Sequence, residues 1–234
     1  MKVQQERLVV FTKQINGLTG LDLCILDEEA TVADLVDALA PMSEDPTVHK
    51  SYHPQHRGSC CGCKDNCCTH SLIAPDLKSL SSLAALKGYA LDEIVQQTCE
   101  PQARKRGYLV LRSFPCLFLD NDRCTIYPYR PLICRLFICT QLTDAFQELI
   151  FRVLGRGISE LHAALLKQET VLPWQPLPDI GGDREADYRA EFARFYRRSV
   201  QQSAFTLEEP GAYHRWKLRD LCDDAQWRIL TRLV

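Results

Sequence analysis

Cysteine is the residue type in this chain most able to do chemistry, and its twelve cysteines are spread unevenly over 234 residues. The run SCCGCKDNCCTH, residues 59–70, holds Cys60, Cys61, Cys63, Cys67 and Cys68, and a second group is formed by Cys116, Cys124, Cys134 and Cys139. Thiolate sulfur is a soft ligand suited to zinc, copper(I) and iron–sulfur centres, and a tetrahedral site needs four such ligands brought together from separate loops. Cys60, Cys63 and Cys67 stand at C-x2-C-x3-C spacing, and Cys68 follows at once. Spacing this tight lets one turn of backbone aim several sulfurs at a common point and leaves N–H groups to hydrogen-bond them.

The doublet constrains the site further. Adjacent side chains diverge on a helix and point to opposite faces of a strand, so Cys67 and Cys68 are expected to serve two metal atoms, or one ligates while its neighbour packs. With Cys61 set aside, the eight other thiols of the two groups suffice for two four-thiolate sites, or for one cluster plus unused thiols. Four thiolates around a zinc ion leave negative charge that a partly buried site must offset with N–H donors or cations. Arg130 and Arg135, on either side of Cys134, suit that role. Left free, so many clustered thiols would be an oxidation liability. Cys24, Cys99 and Cys222 stand alone and read as small buried apolar side chains.

Signals for catalysis are weaker. His70, Tyr127, Tyr129 and Arg130 are the acid, base or substrate-binding candidates near the thiols, while His53 and His56 read as loop residues. A radical enzyme using S-adenosylmethionine needs C-x3-C-x2-C, but the position required after Cys63 and Cys67 is His70. Neither is there a glycine-rich nucleotide loop following a strand.

The second group completes a resemblance. CCGCKDNCC together with SFPCLFLDNDRCTIYPYRPLICRLFIC, residues 113–139, resembles the bacterial cysteine-cluster family named for its CxxCxxCC motif, described as a zinc- or iron-chelating domain. The matching elements are Cys60, Cys63 and the Cys67-Cys68 doublet, then Pro115-Cys116, Phe118-Leu119, Cys124 before Ile126-Tyr127, and Arg130-Pro131 followed by Cys134-Arg135 and Phe137. One departure is that Lys64, Asp65 and Asn66 put three residues before the doublet instead of two. The resemblance implies metal chelation by Cys60, Cys63, Cys67, Cys68, Cys116, Cys124, Cys134 and Cys139. Its metal is either an iron–sulfur cluster, expected as 4Fe-4S and favoured by the doublet, or zinc. Some relatives are associated with lysine N-methylation of proteins, so a metal-dependent protein-modifying or redox enzyme is the alternative, with metal storage or delivery as a third.

Elements must position these thiols. RLVVF and LDLCIL read as short strands within residues 5–29, and Val32, Leu35, Val36 and Leu39 predict a helix from Thr31 to Ala40 that Pro41 ends. Residues 42–59 are polar and punctuated by prolines, a loop leading into the cysteines. Leu77, Leu80, Ala84 and Leu86 predict a helix opened by Pro75-Asp76 and closed at Gly88, and Leu91, Ile94, Val95 and Thr98 predict another over 91–99. RGYLVLRS, 106–113, and CTIY, 124–127, have strand character. Beyond Cys139 three helical patterns follow: 142–154 with a continuation at 158–167 after a break at Gly155 and Gly157, then 184–199, then 212–232. The middle one sets Tyr188, Phe192, Phe195 and Tyr196 on one side. Its Arg189, Arg194, Arg197 and Arg198 interleave with acidic residues and read as a solvated face. The expected fold is α+β: an N-terminal segment over 1–57, a cysteine-cluster metal-binding domain over 58–140, and a mainly helical extension over 141–234.

A formal net charge of -2 gives no global attraction to nucleic acid or an anionic membrane. The N-terminal residues do not read as a secretory signal, and no segment approaches the roughly 20 apolar residues of a membrane span. The expected compartment is the cytoplasm, where thiols stay reduced, and a protein partner would meet the helical C-terminal half.

Overall fold

Leu8–Ile15 (β1) and Leu18–Ile25 (β2) pair antiparallel from Leu8 opposite Ile25 to Ile15 opposite Leu18. The reversal is made by Asn16 and Gly17, both at positive φ, the geometry a two-residue hairpin turn requires. The strands expected from RLVVF and LDLCIL are thus one hairpin, each longer than its apolar run. These observations come from a computed structural model that describes residues 6–45, 48, 67–167, 184–202 and 213–232, with the side chains of 184–187 and 202 excepted. Cys60, Cys61 and Cys63, with His53 and His56, lie outside the described residues. The described residues gather into two compact units, one within Met1–Asp65, Arg135–Val153 and Ala212–Val234, the other within Asn66–Cys134 and Leu154–Gly211.

In the first unit, the outer edge of β2 is covered by the chain at 141–143. Leu21 N–H donates to Gln141 O at 2.8 Å, and Thr143 N–H donates to Leu21 O at 3.2 Å. A Cβ at Gly20 would stand 2.6 Å from Gln141 O, so only glycine admits this approach. The helix Val32–Leu39 (α1) forms where its periodicity predicts. Thr31 and Asp34 make a capping box, and Val32, Leu35, Val36 and Leu39 are buried. Residues 212–232 are not one helix. Trp216 accepts from Val32 N–H, Leu218 N–H donates to Ala30 O, and only Asp224–Leu230 (α8) is helical after a short 3-10 turn at Leu218–Leu221. The apolar spacing there comes from an extended segment packed beside the start of α1, which periodicity cannot distinguish from a helix face.

The second unit begins with the helices Leu77–Lys87 (α2), Leu91–Thr98 (α3) and Pro101–Lys105 (α4). Asp76 caps α2 and Gly88, at φ 70, ends it, as expected. Leu86 is 57% exposed, and Leu83 takes the inward position instead, because it continues the stripe through Leu80 and Ala84. No strand forms at 106–113. Tyr108, Leu109, Val110 and Leu111 are all buried in the core, and among the described residues the segment makes one bridge, between Leu111 and Cys99, with Leu111 N–H also donating to Ile73 O at 2.9 Å. Strand character in CTIY reduces to Arg123–Cys124 (β4), which pairs with Leu119–Asp120 (β3) through a turn at Asn121-Asp122. Tyr127–Tyr129 is then a 3-10 turn. Leu132–Leu136 (α5) follows.

Asp144–Leu166 (α6) is continuous, so Gly155 and Gly157 do not break it. They let neighbours approach: a Cβ at Gly155 would meet Ser199 Oγ at 3.0 Å, and one at Gly157 would meet Asp76 Cβ at 3.2 Å. Arg184–Gln202 (α7) buries Phe192 and Tyr196 against Tyr108 in the core, while Tyr188, expected on the same side, is 42% exposed. The fold is α+β, as the sequence predicts. Among the described residues no helix is long and apolar enough to cross a membrane.

Candidate metal centre

Three separate pieces of the second unit carry thiols that act on one another. Cys67 and Cys68 lie on a 3-10 turn, Cys67–Thr69, whose end is tied down by His70 and Ser71 N–H groups donating to Cys67 O. Within this turn the Cys67 thiol is the strongest influence on the Cys68 thiol, so the two sulfurs of the doublet act on each other. Cys116 N–H donates to Cys68 O at 2.8 Å, joining the doublet to the second group by backbone. From Cys116 the chain enters the β3–β4 hairpin, where Leu119 N–H donates to Cys116 O and Cys124 pairs opposite Leu119. Cys134 arrives on α5, whose first N–H, that of Leu132, donates to Asp76 Oδ2 at 2.7 Å. The other oxygen of Asp76 accepts Ser79 N–H at 3.0 Å. One buried carboxylate thus caps α2 and seats the helix that carries Cys134.

The electrostatics describe one environment. Cys68 is raised by its hydrogen bond with Cys67, then by burial, and Arg130 opposes the shift. Burial pushes the Cys116 thiol up to about 11, with the charges of Cys68 and Cys124 acting the same way, while the Phe118 N–H directed at its sulfur opposes them. Cys134 is pushed well above its ordinary value by burial and then by Cys68, Cys116 and Cys124, against Arg130. Cys68, Cys116, Cys124 and Cys134 therefore share one electrostatic neighbourhood, and Arg130 is its cation, stacked 3.9 Å from the centre of the Tyr127 ring. Arg135 stands in the last turn of α5. Cys139 clusters with the first unit, where it is half-buried.

These thiols act on one another at the range of charge interaction. Among the described residues, no group of three histidine, cysteine, aspartate or glutamate side chains stands close enough to hold a metal ion. The donor set nevertheless fits a soft metal: several sulfurs, an N–H aimed at one of them, and one guanidinium to offset the thiolate charge. Thiols this hard to ionise would lose their protons to a metal on binding. His70 closes the 3-10 turn and carries none of the sulfur interactions above. Cys24 and Cys99, 1% and 2% exposed, are core side chains as expected, and Cys222 is half-buried with Arg152 and Arg219 nearby.

Sequence reasoning missed Asp76 as a positioning group, the Phe118 N–H and the buried His162. The aspartate was visible as a helix cap, but its second bond spans 56 residues and has no local signature.

Residues 59–150 match the CxxCxxCC family, described as "Putative zinc- or iron-chelating domain". The match supports a metal-binding role for the chain and covers the stretch on which the sequence resemblance rests. No curated protein and no solved structure matches the chain.

Proposed function

We propose that residues 58–140 hold a cysteine-ligated metal centre, an iron–sulfur cluster of the 4Fe-4S type in preference to zinc. Its ligands are drawn from Cys60, Cys63, Cys67, Cys68, Cys116, Cys124, Cys134 and Cys139, and Arg130 and Arg135 offset the thiolate charge. The observation that carries the reading is the shared environment of Cys68, Cys116, Cys124 and Cys134 beside Arg130. The adjacency of Cys67 and Cys68 supports a polynuclear centre, since neighbouring sulfurs can then serve different metal atoms. Such a centre, structural or redox, suits a reducing, cytoplasmic compartment. The helices described within 141–234 offer a surface to a protein partner.

The test is the metal and acid-labile sulfide content of protein purified without oxygen, with its visible absorption spectrum. Iron and sulfide in similar amounts with a brown chromophore are expected, whereas colourless protein with zinc would replace the cluster by a structural zinc site. Cys134→Ser and Cys116→Ser should each lose most of the metal, and Cys222→Ser should keep it. Equal metal in all three variants would sink the assignment.

A further inference from the structure

Two of the segments that carry thiols are gripped from the same end of one helix. Tyr188 and Arg189 are successive residues near the start of α7. The Tyr188 hydroxyl accepts the backbone N–H of Leu72 at 3.4 Å, four residues beyond Cys68. The Arg189 guanidinium lies over the Phe114 ring, 4.8 Å from its centre, two residues before Cys116. Further along the same helix Phe192 and Tyr196 are buried in the core, where both rings lie about 6.2 Å from that of Tyr108. The middle of α7 is thus fixed in the core, and its leading end reaches both thiol-bearing segments.

Core packing does not account for this grip. Tyr188 is 42% exposed and Phe114 is 36% exposed, so what holds them is a hydrogen bond and a cation over a ring face. Leu72, by contrast, is 2% exposed, and its N–H finds its partner in that surface tyrosine.

We infer that Tyr188 and Arg189 form a clasp that positions the Cys68 and Cys116 segments for metal, and that metal loading in turn fixes the leading end of α7. The inference rests on the metal-binding reading above. Ligands carried on separate segments bind more tightly when those segments are already ordered, because less freedom is lost on binding. Linkage makes the effect reciprocal: whatever the clasp adds to metal affinity, metal adds to the clasp. Tyr188 and Arg189 are positioning residues here, acting through the backbone beside the ligands.

The experiment uses the full-length chain as wild type, Tyr188→Phe, Arg189→Met, the double variant, and Arg194→Met as a control on the exposed side of the same helix. Zinc affinity is read by competition with a chromophoric chelator, and hydrogen exchange of α7 is followed with zinc and after stripping with EDTA. The double variant should bind zinc on the order of tenfold more weakly, each single variant less so, and Arg194→Met as wild type does. In wild type, amides around 188–192 should exchange more slowly with zinc than without it, and the double variant should lose that difference. Tyr188→Phe removes one oxygen and keeps the ring, so its effect is read on a folded chain. Equal zinc affinity in wild type and double variant, or α7 exchange in wild type that ignores zinc, would overturn the clasp. A wild-type chain that takes up neither zinc nor iron would overturn the metal reading itself, and the clasp with it.

Discussion

The β1–β2 and β3–β4 hairpins both reverse through two residues of positive φ, Asn16-Gly17 in one and Asn121-Asp122 in the other. The first then runs eight paired positions and buries Leu21, Leu23, Cys24 and Ile25 along β2. The second pairs only Leu119 with Cys124 and Asp120 with Arg123, and Asp120 and Arg123 are exposed. A ladder of two pairs has little stability of its own. What the first hairpin draws from its ladder and apolar face, the second takes from its ends, through Thr125 N–H to Phe118 O and Leu119 N–H to Cys116 O. Cysteine divides the same way: Cys24 is an apolar side chain in a core, whereas Cys116 and Cys124 sit at the ends of a hairpin too short to hold itself.

The largest effect expected from this contrast is metal removal. Stripping the protein with a chelator should speed amide exchange across 116–134 by at least about tenfold and leave 8–25 unchanged. A uniform response of both hairpins would break the comparison. Next is Asp76→Ala, which leaves two buried N–H groups without their acceptor and should cost about 3 kcal/mol in denaturant unfolding, with metal uptake falling alongside.

Acidification should separate the two regions at a lower cost. Burial lowers His162 in the second unit from 6.5 to about 4, so the unfolded chain takes up a proton that the folded one refuses. Its share of stability is present above pH 6.5 and is lost as pH falls from there to about 4, a change on the order of 2 kcal/mol that His162→Gln should remove. In the first unit Asp22 is buried, but bonds from Lys13, Thr143 and Leu23 outweigh that and hold it below 3.8. Its contribution is present above 3.8 and fades only below it, so acid unfolding followed region by region should begin in the second unit. The smallest effect is Gly17→Ala, about 1 kcal/mol, from placing a Cβ at φ 80 in the β1–β2 turn.

Much of the first unit is legible because its signals are local. Val32, Leu35, Val36 and Leu39 fix the face of α1, and Asn16-Gly17 marks the hairpin turn for any reading that tests for it. Cys68, Cys116, Cys124 and Cys134, proposed above as ligands, stand out in the sequence by residue type and spacing. What the sequence conceals is made by contacts distant along the chain. Tyr108 to Leu111 look like a strand because every side is buried, and a chain threaded through a core has the same apolar run as a sheet strand. Gly155 and Gly157 look like a break because a glycine that admits a neighbour and one that ends a helix are the same letter. The Tyr188 contact with Leu72 joins residues 116 positions apart, beyond any window of periodicity.

Asp76 has a consequence for saturation mutagenesis scored by retained metal. Its side chain supplies one oxygen to its own helix and the other to the helix that bears Cys134, so both asparagine and glutamate should score poorly there. Asparagine keeps one acceptor, and glutamate misplaces both by a methylene. Position 76 would then appear in the same class as the cysteines, as an acid intolerant of substitution. Such a survey would invite its assignment as an oxygen ligand, although both of its oxygens are already committed to backbone N–H groups.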